Sequence, residues 1–415
     1  MAEAQRTARG QISDPCGSRL EPRWRGVEQA GGGLDRMAVC RYCFRRVLHC
    51  NAVGVTKEAG NLARELLWTD AAWCLDVLKS AYAVENGGGF APWMMLSINA
   101  RVAYEGRRVI QSPDPNVGVS QLVPFPADDE SPSVEKARHA AKLLDNSKKS
   151  IEGFRTEMKS YWKAHDARMR GRVPRLFGGL VKELGVATFD GRIVLATIPT
   201  QVRFVLPAGD SNEMRDAALK LGTDLGHDLF AFHLMVGSDH EPQATLDLGW
   251  VRNVSWGDHY VRRFLAEQYE AALDDEAKML VLLLESDLNT LVFMLSQTAS
   301  GHEWAFFRAA MVTLWHVLVS LQALLTAYPS ADATRVRELL ASGDVAEFLD
   351  PRNKRIRNTF VHYVPPNLPL DASKPMAGLV ELLNPGQNVV SLGALTWRLA
   401  QAAQSAVEEW RLEGR

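Results

Sequence analysis

The 415-residue sequence predicts a mainly α fold, with a small α+β unit set ahead of a C-terminal helical bundle, and three observations carry that expectation. From Gly257 onward, apolar residues recur at spacings of three and four, the period of a helix face. Asp190-Gly191 stands between two apolar runs, where a tight hairpin turn favours such a pair. Asp350-Pro351 marks a helix start, because the carboxylate accepts bonds from free N–H groups and Pro has no N–H to leave unpaired.

The elements follow in order. Residues 1–36 hold Gly31-Gly-Gly33 and scattered Arg and Pro without apolar periodicity, so they are expected to form a flexible leader, with Met37 an alternative start. Residues 37–110 read as a helical segment, with an amphipathic helix over 61–84 ended by the Gly run at 87–89. Residues 111–133 are rich in Pro, Asp and Ser and read as a linker. Residues 134–256 are expected to form the α+β domain. It has helical spacing to about 162, a hairpin of 186–189 and 192–198, a further strand over 201–206, then two helices and an apolar run at 229–236. Residues 257–415 form the bundle, with helices expected over 258–273, 276–297, 302–328, 333–348, 351–364 and 391–411.

Composition narrows the function classes. A chain that is 47% hydrophobic and 23% charged is ordinary for a folded, water-soluble protein. A formal charge of -2 supplies no global attraction to nucleic acid, so any such binding must come from local basic patches. Five cysteines without a signal peptide point to a reducing cytoplasm. The apolar run 309–328 is long enough for a membrane span, but the polar residues in and around it suit a core helix better.

Two constellations resemble metal sites and are each incomplete. Cys40, Cys43, His49 and Cys50 have the spacing of half a zinc site without its second half. His227, His233, Asp239 and His240 fit no helical ligand pair. No metal or cofactor is therefore expected. A third cluster mixes rings and cations, from Lys159, Tyr161, Trp162 and Lys163 to Arg168, Arg170, Arg172 and Arg175. That chemistry can hold a phosphate backbone and stack bases.

The helix that begins at Asp350 concentrates the most chemistry. Arg352, Lys354, Arg355 and Arg357 lie where the helix dipole is already positive, each costing about 0.3–1 kcal/mol unless an anion answers it. Ile356, Phe360, Val361, Tyr363 and Val364 form one apolar arc, and Arg357 falls inside it. A buried guanidinium needs a partner, either a carboxylate such as Glu285 or Asp287, a subunit interface or a phosphate. Arg355, Asn358 and His362 share the opposite face, which puts a candidate proton acceptor in a polar, cationic stripe.

The run Arg357-Asn358-Thr-Phe-Val-His362-Tyr363 resembles the signature of the HEPN superfamily, all-helical bundles that carry an Arg, a polar residue and a His on one helix. The resemblance covers at most the last ~160 residues and its motif is short. It implies a metal-independent endoribonuclease in which His362 is the base or acid, Arg357 holds the scissile phosphate and Asn358 orients. It also implies 2′,3′-cyclic phosphate ends, a homodimer and a defence or toxin role. Arg352, Lys354, Arg355, Tyr363, Arg170 and Arg172 are the expected RNA contacts. Arg357 and His362 lie roughly 140° apart around the axis, so they meet one group only at an edge or between two copies. The alternative is a non-catalytic HEPN-like protein that dimerises or binds a nucleic acid or nucleotide, with Arg357 in a structural ion pair.

Overall fold

A computed structural model describes residues 62–84, 87–111, 134, 150–172, 182–204, 206, 211–235, 246–363 and 375–413. The leader, the linker beyond residue 111, the cysteines at 16, 40, 43 and 50, and His49, Asp239 and His240 lie outside the described residues. The described chain is mainly helical, with fourteen α-helices and one small three-stranded sheet.

Helix α1 (Leu62–Tyr82) matches the amphipathic helix expected over 61–84. The Gly run that was expected to end it instead opens α2 (Gly87–Met94), which leads at once into α3 (Leu96–Ile110). Val134 is helical, residues 135–149 lie outside the described residues, and helix α4 (Ser150–Arg172) runs further than the helical spacing suggested. It buries Ile151, Phe154 and Met158 along one stripe and leaves Lys159 and Lys163 exposed.

Strands β1 (Leu184–Phe189) and β2 (Arg192–Ala196) pair antiparallel through Asp190 and Gly191, at φ 50° and 77°. Both turn residues are left-handed, the geometry whose twist matches the flanking strands. The strand expected over 201–206 does not form. The chain leaves the sheet after Ala196, the Gly185 N–H donates to Thr197 Oγ1 at 3.0 Å, and residues Thr197–Arg203 wind into α5. Helix α6 (Ser211–Met235) is one continuous element rather than two helices and an apolar run. The third strand, β3 (Val254–His259), pairs with the free side of β1. Its sequence has no sustained apolar alternation and half of it is exposed, so the period-two signal is missing.

After β3, helix α7 (Val261–Gln268) is followed by α8 (Asp275–Asn289), which Asp274 caps by accepting from the Ala277 N–H at 2.9 Å. At the end of α8, Asn289 and Thr290 donate to the Ile193 and Val194 carbonyls at 2.9 and 2.8 Å, stitching β2 to the helix. A π turn (Thr290–Met294) then leads towards α9 (Glu303–Ala327). The segments Asp275–Thr298 and Glu303–Ala327 are long and apolar enough to cross a membrane, yet 83% and 72% of their apolar windows are buried in the fold. They serve as core helices. The single helix expected over 333–348 breaks into α10 (Thr334–Leu340) and α11 (Gly343–Phe348), because Ser342 Oγ accepts from the Val345 N–H and starts a new helix. Helices α12 (Pro351–His362), α13 (Pro375–Leu383) and α14 (Val389–Glu413) complete the bundle, α13 being unanticipated. One apolar core joins residues from Leu62 to Trp410, so the N-terminal helices, the sheet and the bundle share it.

Two buried polar nodes pin this core. Asp70 on α1 is fully buried and accepts from Arg308 Nε of α9 at 3.0 Å, Arg101 of α3 at 3.3 Å and the Tyr363 hydroxyl at 2.6 Å. Glu285 on α8 accepts from Arg411 of α14 at 2.8 Å and from the Tyr269 hydroxyl at 3.1 Å. Burial pushes the Glu285 carboxyl up to about 7, outweighing the opposing pull of Arg411.

Arg308→Met should destabilise the fold by about 3–5 kcal/mol in urea unfolding, because it removes one partner of a buried charge pair. A pH effect follows from Glu285. Its native carboxyl holds a proton more tightly than the unfolded chain, so its contribution is full below 4.5 and is lost as pH rises through about 7. In thermal melts from pH 4 to 8, wild type should lose stability over that window relative to Glu285→Gln.

Candidate functional site

Helix α12 begins as its sequence requires. The Asp350 carboxylate accepts from the Arg352 N–H at 2.8 Å, and Pro351 fills the first turn. Asp350 also binds the Arg352 guanidinium at 2.9 Å, so one of the four cations is answered within the helix. Lys354 and Arg355 are exposed and have no carboxylate partner among the described residues. The apolar arc is buried as expected, with Ile356, Phe360, Val361 and Tyr363 fully enclosed and the Phe360 ring edge-on to Phe307. Asn353, which the sequence did not single out, ties α12 to its neighbours: its amide donates to the Glu347 carbonyl at 2.9 Å and its oxygen accepts from Asn384 at 3.0 Å.

Arg357 is buried at 6% exposure and meets neither of the acids suggested for it. Asp287 pairs with Arg203 at 2.6 Å and Glu285 with Arg411. The Arg357 guanidinium instead lies against Nε2 of His316 from α9 and donates to Asn358 Oδ1 at 3.1 Å. A guanidinium has no lone pair, so His316 must offer its Nε2 lone pair and carry its own proton on Nδ1. His316 was visible in the sequence only as a polar interruption of an apolar run, because nothing local pairs it with a residue 41 positions later.

His362 sits at the C-terminal end of α12, 37% exposed. Its Nδ1 lies 3.0 Å from Glu105 Oε2, a buried carboxylate on α3. The same oxygen accepts from Arg108 Nη1 at 3.3 Å, and the Arg108 side chain is 60% exposed. Helix α3 is itself held firmly, since neighbouring Arg107 forms a two-pronged pair with the buried Asp228 of α6 at 2.6 and 2.8 Å. The polar stripe of α12 therefore faces a carboxylate and a cation from α3, which no spacing within α12 could disclose.

Tyr363, expected among the RNA contacts, is fully buried and offers no ring face to a base. It ends α12 in the left-handed region, at φ 51°. That conformation is uncommon for a side chain of this size, and the bond to Asp70 holds it. Burial, reinforced by the Asp70 charge, raises the phenol well above its usual range, so it stays a donor. On α4, Lys159 and Lys163 are exposed, and Tyr161 and Trp162 are partly buried, edge-to-face at 6.2 Å. Arg170 and Arg172 fall in the last turn of that helix. Among the described residues no group of three or more His, Cys, Asp or Glu side chains could hold a metal ion.

Tyr363→Phe should cost about 1–3 kcal/mol in chemical denaturation, because it leaves a buried carboxylate short of a donor. No family model, curated protein or solved structure matches this chain.

Proposed function

We propose that the protein is a metal-independent endoribonuclease of HEPN type. The observation that carries this reading is His362, a partly exposed imidazole anchored through Nδ1 at the end of a cation-rich helix. With Nδ1 engaged, Nε2 is the nitrogen left to act on a substrate. It takes the proton of a ribose 2′-hydroxyl, the 2′-oxygen bonds to phosphorus, the bond from phosphorus to the 5′-oxygen breaks, and that oxygen leaves with a proton taken from water. The product is a 2′,3′-cyclic phosphate. The exposed Lys354 and Arg355 bind flanking phosphates, while Arg357, the clamp implied by the motif, is held inward by Asn358 and His316. Lys159 and Lys163 with Arg170 and Arg172 on α4 guide the strand. A homodimer and a cytoplasmic defence or toxin role complete this proposal.

One observation favours a second reading. Arg357 is buried against His316, as a structural cation would be, which fits a protein that binds or dimerises without cutting. Purified protein incubated with total RNA in chelator separates the two. Wild type should cut and leave cyclic-phosphate ends, while His362→Ala should lose about 10²–10⁴-fold in rate, the contribution of a general base. RNA binding that survives in both proteins, with no cutting by either, would establish the second reading.

A further inference from the structure

Arg357 and His362 point to different neighbours. The guanidinium turns inward to His316 and the imidazole turns to Glu105. A base and a phosphate cation must converge on one group, and α3 supplies the arrangement that α12 lacks. Glu105 Oε2 holds His362 Nδ1 at 3.0 Å and Arg108 Nη1 at 3.3 Å, so the ring and the guanidinium lie within two hydrogen-bond lengths of each other. Both are open to solvent, at 37% and 60%, whereas Arg357 is 6% exposed. Glu105 accepts one Arg108 nitrogen among the described residues, leaving the rest of that planar fork free for phosphate oxygens.

We propose that α3 completes the site, with Glu105 as the positioning residue for His362 and Arg108 as the cation that meets the scissile phosphate. The proposal rests on the ribonuclease reading and adds that the pair forms within one chain. An ionised carboxylate accepts and cannot donate, so it holds the imidazole with its proton on Nδ1 and leaves the Nε2 lone pair outward. Nothing in the bundle sequence signals this, because Glu105 and His362 are 257 positions apart.

The test uses the full chain. Arg108→Ala should lower kcat/KM on single-stranded RNA by about 10²–10³-fold, while Arg398→Ala, an equally exposed cation on α14, should stay within about two-fold. Nitrogen NMR of wild type should show neutral His362 protonated on Nδ1, and Glu105→Gln should lower that fraction. An Arg108→Ala enzyme within about two-fold of wild type would overturn the cation assignment, and a wild-type proton on Nε2 would overturn the role of Glu105. If wild type cuts no RNA, the ribonuclease reading falls separately. The probe then becomes a 2′-O-methyl RNA oligonucleotide, which lacks the attacking hydroxyl. Arg108 and His362 side-chain signals that move together on its addition would uphold a shared anion site, and no movement at either would overturn it.

Discussion

The carboxylate of Asp70 organises the parts of this fold that matter for the site. An ionised carboxylate in an apolar interior is tolerated only when its oxygens are fully bonded. Asp70 meets that demand with donors from three other places in the chain, Arg101 of α3, Arg308 of α9 and Tyr363 at the end of α12. The same node therefore fixes α1, α3, α9 and α12 relative to one another. Because Tyr363 follows His362 directly, the node also sets where the imidazole stands. Arg101 lies one turn before Glu105 on α3, so the carboxylate that meets the imidazole is set by the same node.

The candidate site is then built from short links. Glu105 is buried, and Arg101 lies close enough to interact with its charge. The exposed Arg108 and half-exposed His362 complete the surface end of that chain of charges. On the other side of α12, His316 and Asn358 occupy Arg357, so that one helix carries an inward-facing cation and an outward-facing imidazole. The divergence expected from helix geometry is thus realised, and α3 fills the gap that it leaves.

Much of the fold was legible locally. The Asp350-Pro351 start, the buried arc of α12, the Asp190-Gly191 turn and the two long core helices all follow from capping, periodicity and turn chemistry within a few residues. Three departures from local pattern share one cause. β3 and the helix at 197–203 depend on what β1 bonds to rather than on their own pattern. The long α6 depends on packing against α1 and α3 in the same way. The break at Ser342 was signalled by a capping residue before Gly343, and apolar spacing on both sides masked it.

The sequence by itself determined which residues could do chemistry: a cation-rich capped helix, an arginine forced into an apolar arc, and a histidine on the polar face. Helix geometry also determined that these two diverge. Only the tertiary structure decided their partners, placing His316 on Arg357, Glu105 on His362 and Asp70 on Tyr363. The physical reason is that periodicity and capping act over one or two turns. A buried charge or imidazole, in contrast, is satisfied by whatever side chain the packing of distant helices brings within about 3 Å.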